Sequence, residues 1–264
     1  MMQLPFGFGT AHFQSRAVAV ESVKRALGVG YRHLDTADHY QYTDAVGAAI
    51  AEQSVPRENL FVATKLHSAD LDPDSIVDRV DALSQALNVE VIDLVSVHWP
   101  TDAYDPERTF ETLGRLQEAG DIRHVGVCNF TPNLLREAVD CSPVPIVAHQ
   151  FEIHPFLPQN ELIEASREVG SHVVAHSPLA GGRVFESETL QALADDQGVS
   201  VAQVVLAWLL DRKKVCPIPK ATGEHIEENF AATALSIDAK AFDRIDNINT
   251  RYRIVDYEFA PWDE

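Results

Sequence analysis

The feature that most constrains this chain is a repeated alternation of short apolar runs with helically patterned segments. Each apolar run ends in polar residues. Crossover helices make successive strands parallel, and eight such units in 264 residues favour a closed barrel over an open sheet. The predicted fold class is therefore α/β, a (β/α)8 TIM barrel. The expected strands are 6–11, 31–37, 60–66, 91–98, 122–129, 145–153, 172–179 and 215–220.

Helical spacing fills the segments between the predicted strands. One apolar stripe recurs at intervals typical of an amphipathic helix and consists of Ile76, Val80, Leu83 and Leu87. The expected helix starts carry residues suited to capping, namely Asp74 with Ser75, Thr131 before Pro132, and Ser200. No linker or charge block divides the chain, so we expect a single domain over residues 1–264.

The charge balance is strongly acidic, with 40 acidic against 21 basic residues and a formal net charge of −19. Such a surface repels nucleic acids and anionic membranes, so neither is an expected partner. It is either an ordinary solvated surface or an adaptation to high salt, in which screening removes the self-repulsion. Because only six residues are lysine, the sequence favours the halophilic interpretation.

The cysteines and histidines indicate no metal site. Cys128, Cys141 and Cys216 have no zinc-site spacing and form no disulfide framework, and His172 and His176 have no third ligand at useful spacing. No secretory signal pattern or apolar run of membrane-spanning length is present. The expected location is therefore cytoplasmic.

Polar side chains lie at the carboxyl ends of three consecutive predicted strands. Asp35 and Tyr40 follow the second strand, Lys65 the third and His98 the fourth, and parallel barrel strands deliver their carboxyl ends to one mouth. A lysine ammonium beside a phenol is expected to lower the tyrosine pKa, and an aspartate keeps that lysine charged. Such a phenol can protonate a carbonyl oxygen as hydride reaches the carbon.

Each of these residues also has a plain structural interpretation. Asp35 and Lys65 form a simple buried ion pair in one alternative. In that alternative Tyr40 is a packing residue whose hydroxyl faces solvent. His98 is then a turn histidine with its hydrogen bonds satisfied. Their joint placement on three consecutive strand ends favours the catalytic interpretation.

Six sequence blocks occur in the order typical of one enzyme family: GYRHLDTADHY, ATKL, VSVHWP, VGVCNF, AHQFEIHP and IPKATGEHIEEN. Over nearly its whole length the chain resembles the aldo-keto reductases, and among them the compact prokaryotic type similar to 2,5-diketo-D-gluconate reductases. The resemblance implies that Tyr40 is the general acid and base. It also implies that Lys65 and Asp35 tune Tyr40 and that His98 orients the carbonyl.

The resemblance further implies a nicotinamide cofactor, although no GxGxxG fingerprint follows a strand. The implied cofactor contacts are Thr10, Asp35, Cys128, Asn129, Gln150, His176, Ser177, Leu179, Lys220, Thr222, His225, Glu228 and Asn229.

Four of these cofactor positions affect the expected chemistry. Cys128, where the family usually has serine, is a weak donor. His176, where the family usually has tyrosine, titrates near neutral pH, so pH-dependent cofactor affinity is expected. Lys220 favours NADPH, but His225 in place of the family's arginine leaves NADH possible.

The short connection after the fourth strand and the short C-terminus predict a shallow, open substrate pocket. Its expected lining is Phe6, His12, Trp99 and Phe130. The expected function is NADPH-dependent reduction of dicarbonyls, keto-sugar acids and assorted aldehydes by a monomer or weak oligomer. The alternatives are an alcohol or sugar dehydrogenase and an NADP-binding sensor barrel that regulates a partner.

Overall fold

The computed structural model describes residue 4 and residues 6–263. Eight parallel strands form one sheet in which each strand pairs with its neighbour in chain order. The strands are β1 (Gly7–Gly9), β2 (His33–Asp35), β3 (Phe61–Leu66), β4 (Leu94–Val97), β5 (Val125–Cys128), β6 (Ile146–Glu152), β7 (His172–His176) and β8 (Val215–Pro217). The predicted single-domain (β/α)8 barrel is confirmed.

Helices cross over between the strands and form the outer layer. They are α1 (Arg16–Val29), α2 (Thr43–Ala51), α3 (Pro73–Leu87), α4 (Pro106–Ala119), α5 (Pro132–Cys141), α6 (Asn160–Glu168), α7 (Glu188–Gln197), α8 (Val201–Asp211), α9 (His225–Ala231) and α10 (Ala239–Asp246). Short 3-10 turns are Arg57–Asn59, Ser68–Asp70, Ala180–Glu186, Ala232–Ala234 and Pro261–Asp263.

Two of the three predicted helix caps are correct. Thr131 caps α5 ahead of Pro132, and Ser200 forms a capping box with Gln203 at the start of α8. The cap of α3 is Asp72 instead of Asp74 or Ser75. This follows from Pro73, which suits the first helical position because it has no N–H to be satisfied.

All eight strands are shorter than the apolar runs predicted. The ladder of β5 ends at Cys128, because Asn129 adopts a left-handed backbone with φ 61° and turns the chain toward the mouth. The predicted second strand likewise ends at Asp35. Polar residues just beyond the ladders therefore form the rim of the barrel.

The seam between β1 and β8 depends on glycine. The Gly9 N–H donates to the Pro219 carbonyl at 3.2 Å. A Cβ atom at Gly7 would lie 2.5 Å from Ile218 Cγ2, and one at Gly9 would lie 2.7 Å from the Ile218 carbonyl oxygen. Only residues without a side chain allow the last strand to approach the first this closely.

The two ends of the barrel have different roles. At the amino end, the buried carboxylate of Asp93 accepts from Arg57 at 2.5 Å and from Arg123 at 2.8 Å, which ties β3, β4 and β5 together. Apolar clusters fill the barrel interior and the space between strands and helices. The carboxyl end is left for polar side chains. No helix in the described part of the chain is both long and apolar enough to cross a membrane.

Candidate active site

The centre of the candidate site is a buried ion pair at the ends of β2 and β3. Lys65 Nζ donates to Asp35 Oδ1 at 2.5 Å and to the Thr36 carbonyl at 2.7 Å. Burial has the largest single effect on the pKa of Lys65 and lowers it, but the Asp35 charge and hydrogen bond, with smaller contributions from Tyr40 and Cys128, together leave that pKa above its usual value. Lys65 is therefore a fixed cation on the floor of the mouth.

Tyr40 lies directly beside this cation. Lys65 Nζ is 5.3 Å from the centre of the Tyr40 ring. Burial raises the pKa of Tyr40 and the Lys65 charge lowers it, and burial has the larger effect. The expected net lowering of this pKa is thus wrong, because desolvation of the phenolate outweighs the attraction to Lys65. The phenol is protonated at neutral pH, as a proton donor must be.

His98 completes the group from the end of β4. Its ring centre is 6.4 Å from that of Tyr40. Burial and then the Lys65 charge hold the pKa of His98 well below its usual value, so the imidazole is neutral. Its buried Nδ1 has no hydrogen-bond partner among the described residues. A neutral imidazole can orient a carbonyl oxygen by donating an N–H hydrogen bond from its other ring nitrogen, Nε2.

Side chains from β5 to β7 surround the ion pair on the other side. Gln150 Nε2 donates to Asp35 Oδ2 at 2.8 Å. Asn129 Nδ2 donates to the His98 carbonyl at 3.1 Å, and Asn129 Oδ1 accepts from His176 Nε2 at 3.1 Å. The residues that the sequence placed at separate strand ends thus come together in two hydrogen-bonded groups, one around Asp35 and one around Asn129.

The sequence of this barrel can now be compared with known proteins. The model of the Aldo/keto reductase family matches residues 5–250. The chain belongs to the aldo/keto reductase family. Methylglyoxal reductase DkgB from Escherichia coli O157:H7 is 33% identical over 99% of this aldo-keto reductase chain and 100% of its own.

Solved structures agree with this assignment. The structure of a putative 2,5-diketo-D-gluconic acid reductase B matches with TM-score 0.91 and 30% identity over 97% of this chain and 91% of its own. A Bombyx mori aldo-keto reductase in complex with NADP matches with TM-score 0.88 and 30% identity over 95% of this chain and 91% of its own. The protein is therefore an oxidoreductase with the barrel of this enzyme family.

The donor set at the ends of β5 to β7 fits the nicotinamide end of the cofactor that the family uses. Asn129 and Gln150 offer amide groups beside Lys65, and Cys128 is buried and in contact with Asn129 Nδ2 at 3.2 Å. Thr10 is also buried at this end, where its hydroxyl donates to the Asp35 carbonyl at 2.9 Å. These groups can meet a carboxamide, which both donates and accepts hydrogen bonds.

His176 differs from its expected behaviour. Its Nε2–H donates to Asn129 Oδ1, and its Nδ1 lies 3.1 Å from Ser177 Oγ, so both ring nitrogens have partners in the neutral form. Burial lowers the pKa of His176 to about 4. The expected titration near neutral pH is thus wrong, because the ring is half-buried and already hydrogen-bonded.

The residues expected near the adenosine lie beyond β8 and on α9. Lys220 and Thr222 are exposed, and Asn229 is buried. His225 Nδ1 is 2.7 Å from Glu228 Oε2, so the imidazole in place of the family's arginine is already paired with a carboxylate. Lys220 is the cation of this predicted set that remains exposed toward solvent, with its Nζ 5.6 Å from the centre of the Phe13 ring.

The loop after β7 carries the other predicted cofactor contacts. Ser177 has φ 50°, and its carbonyl accepts from the Ala180 N–H at 2.8 Å. The Leu179 carbonyl accepts from the Gly182 N–H at 2.9 Å, which gives a tight loop at the mouth. Among the described residues no group of three or more histidine, cysteine, aspartate or glutamate side chains is arranged to hold a metal ion.

Two of the four residues predicted to line the substrate pocket do not reach it. Phe6 precedes β1 at the amino end of the barrel and packs on Tyr31, with ring centres 5.3 Å apart. Phe130 is fully buried behind the sheet, with its ring centre 5.5 Å from that of Tyr104. Both predictions are wrong because the sequence fixes neither which end of a strand nor which face a phenylalanine occupies.

The other two predicted lining residues lie at the carboxyl end, but one of them is covered. His12 is exposed after β1. Trp99 is only 6% exposed, because the C-terminal segment, defined here as residues 252–262, packs over it. The ring centres of Tyr257, Phe259 and Trp262 lie 5.8, 5.2 and 5.2 Å from that of Trp99. The expected open mouth is thus wrong on this side.

Glu152, at the end of β6, holds the C-terminal segment and was not identified from the sequence. Its carboxylate is 1% exposed and accepts the backbone N–H groups of Ile254 at 2.6 Å and Val255 at 2.8 Å. His154 Nε2 lies 2.7 Å from the same carboxylate. The glutamate in AHQFEIHP was the available signal, since a charged residue in a buried strand needs partners.

Proposed function

We propose that this protein reduces small aldehydes and ketones with NADPH, and that Tyr40 is the general acid. The observation that carries the proposal is the placement of Lys65 Nζ, paired with Asp35 and 5.3 Å from the centre of the Tyr40 ring. The names of its relatives support carbonyl reduction, since one is a methylglyoxal reductase and another a putative 2,5-diketo-D-gluconic acid reductase.

Each residue of the site then has its own role in the reaction. Bound NADPH would supply hydride to the carbonyl carbon. His98, which is neutral, orients the carbonyl oxygen through a ring N–H, and the Tyr40 hydroxyl donates its proton to that oxygen. The Lys65 charge stabilises the phenolate that remains, and Asp35 keeps Lys65 charged and in place. Alcohol oxidation uses the same residues in reverse.

Cofactor choice rests on the segment after β8. We propose that Lys220 interacts with the 2′-phosphate that distinguishes NADPH from NADH, since it is the exposed cation of this segment. Because His225 is paired with Glu228 at 2.7 Å, it cannot replace a bidentate guanidinium. We therefore expect NADPH preference with measurable use of NADH. The remaining predicted contacts, from Thr10 to Asn229, are part of this proposal.

The central experiment follows NADPH absorbance with methylglyoxal, in wild type and in Tyr40→Phe. We expect Tyr40→Phe to lower kcat by about a hundredfold or more, because phenylalanine has no proton to transfer. Tyr104→Phe is the matched control, since its buried hydroxyl has no hydrogen-bond partner among the described residues and lies outside the proposed site. Its kcat should equal that of wild type.

Two outcomes would contradict the proposal. Equal turnover by Tyr40→Phe and wild type would remove Tyr40 as the acid. Absence of turnover over a broad carbonyl panel, with NADPH binding intact, would favour the sensor alternative. The monomeric or weakly associated state and the cytoplasmic location stay predictions, to be checked by light scattering and by cell fractionation.

A further inference from the structure

The carboxylate of Asp38 fixes two histidines beside the proposed proton donor. Its side chain is fully buried, and its Oδ1 accepts from His39 Nδ1 at 3.2 Å. Its Oδ2 accepts from the backbone N–H of His67 at 2.8 Å. The proposed mechanism uses none of these three residues. We call His39 and His67 the histidine pair.

The hydrogen bonds of the histidine pair determine what each ring offers to a ligand. His39 donates its Nδ1–H to a carboxylate, which leaves Nε2 of the neutral ring as an acceptor. His67 Nδ1 accepts from the Ala69 N–H at 3.2 Å, so the proton of the neutral ring is on Nε2, which is a donor. The pair therefore presents one donor and one acceptor.

The histidine pair lies next to the reacting groups. The ring centre of His39 is 5.3 Å from that of His67, 5.0 Å from that of Tyr40 and 4.8 Å from that of His98. The His39 side chain is 44% exposed, so a ligand in the mouth can reach it. Trp99 also stacks on His98, with ring centres 6.4 Å apart. The mouth thus carries imidazole rings and an indole ring around the reacting groups.

We propose that the histidine pair recognises a second oxygen on the carbon next to the reacting carbonyl. The enzyme then selects 2-hydroxy and 2-oxo aldehydes over plain aldehydes. A hydroxyl both donates and accepts and so uses both rings, whereas a 2-oxo group only accepts and uses His67 alone. Asp38 is a positioning residue. The inference rests on the proposed reductase function and names its substrate class.

A neutral oxygen suits this site better than a carboxylate. The Asp38 carboxylate bridges the pair, and the chain carries a net charge of −19. Asp70 is also near, since it lies 3.9 Å from Arg79, which in turn lies 3.8 Å from Asp38. An anionic substrate group at the pair would lie near the Asp38 charge, whereas a hydroxyl meets a donor and an acceptor without a charge penalty.

The test uses three-carbon aldehydes that differ only at C2: propanal, lactaldehyde and methylglyoxal. For each enzyme the readout is kcat/KM relative to propanal, because this ratio removes any effect common to all aldehydes. In His67→Phe, which keeps a ring but has no N–H, we expect the ratio to fall about tenfold for lactaldehyde and for methylglyoxal. His67→Leu gives the same readout if the phenylalanine variant is unstable.

Two further variants separate the roles of the rings. His67→Gln keeps an N–H donor, so its ratios should stay within about threefold of wild type. His39→Leu removes the acceptor and should lower the lactaldehyde ratio while leaving the methylglyoxal ratio unchanged. His124→Leu is the matched control, because His124 is a half-buried histidine just before β5, at the opposite end of the barrel.

Asp38→Asn tests the positioning role. It should lower the lactaldehyde ratio, and it should have no further effect on that ratio when His39 and His67 are already replaced. A residue that only stabilises the fold would lower all three kcat/KM values together and leave the ratio unchanged.

The outcomes are distinguishable. Ratios in His67→Phe and His67→Leu equal to those of wild type overturn the inference and leave the reductase proposal intact. A wild-type enzyme that reduces none of the three aldehydes overturns the reductase proposal and this inference with it.

Discussion

The buried carboxylate of Glu152 accepts a hydrogen bond from the backbone N–H of Val255 at 2.8 Å, and so fastens the C-terminal segment to the end of β6. The same carboxylate also accepts a hydrogen bond from the Ile254 N–H and lies 2.7 Å from His154 Nε2. Hydrogen bonds to an ionised acceptor are stronger than those between neutral groups. The aromatic cover of Trp99 therefore depends on one charge in the sixth strand.

We expect Glu152→Gln to loosen the C-terminal segment, because an amide has one acceptor oxygen and its NH2 group cannot accept a backbone N–H. The loss should be about 1.5–3 kcal/mol in the free energy of unfolding or of local opening. Trypsin should cleave faster after Arg253, because the Arg253–Ile254 peptide carries the N–H that Glu152 accepts. KM for aromatic aldehydes should rise more than KM for methylglyoxal.

The matched control for this variant is Glu164→Gln. Glu164 is 63% exposed and lies 3.5 Å from Arg167, a surface pair of small energetic value. Its cleavage pattern should match wild type. Equal proteolysis of Glu152→Gln and the control would show that other contacts hold the segment.

The free energy of unfolding is expected to fall at acid pH because of a buried histidine between β6 and α6. His149 is fully buried, its Nδ1 lies 2.9 Å from Ser166 Oγ, and burial lowers its pKa to about 3. The unfolded chain, with an ordinary histidine pKa near 6.5, takes up the proton first. Stability from His149 is therefore present above about pH 6.5 and is lost as the pH falls toward 3, by on the order of 5 kcal/mol in full.

Urea unfolding at about pH 8 and about pH 5 measures this effect. In His149→Leu the drop in free energy of unfolding between the two pH values should be smaller than in wild type. His176, whose pKa is lowered in the same direction, leaves a residual slope. An unchanged drop in the variant would mean that folding does not lower the pKa of His149.

The role proposed for Lys220 predicts a change in cofactor preference. Lys220→Met should raise KM for NADPH by about tenfold and leave KM for NADH unchanged, because only NADPH carries the 2′-phosphate that an exposed lysine can attract. Lys240→Met, a lysine on α10, is the control. An equal rise for both cofactors would place Lys220 against a part of the nucleotide that the two share.

The acidic surface predicts a dependence on salt. Because a net charge of −19 repels itself, we expect Tm and activity to rise between about 0.05 M and about 2 M KCl as the charges are screened. An equal osmolality of glycerol separates screening from solvent exclusion. Full activity and an unchanged Tm after dialysis into low salt would contradict the halophilic interpretation.

The sequence was sufficient for the barrel and for the four central residues for a physical reason. Strand and helix periodicity is local, and a parallel barrel brings all carboxyl strand ends to one place, so Asp35, Lys65 and His98 had to meet. Their geometry now supports this grouping, with Lys65 Nζ 2.5 Å from Asp35 Oδ1.

Contacts between residues far apart in sequence could not be predicted from local patterns. The cover of Trp99 depends on Glu152 binding a segment about a hundred residues later, which no local pattern encodes. The pKa values of Tyr40 and His176 also depend on burial, and burial is a property of the assembled barrel. Phe6 and Phe130 were misplaced because the end of the barrel and the side of the sheet that a residue flanking a strand occupies are set only when the strands assemble.

The glycine seam has a consequence for how the chain is made. Each strand from β2 to β8 pairs with the strand before it in the chain, so those pairs can form while synthesis continues. The contact between Gly9 and Pro219 must wait until nearly the whole polypeptide has emerged. We therefore expect the first strand to spend synthesis with one unpaired edge, and a nascent chain stalled before the last strand to be an open, aggregation-prone sheet.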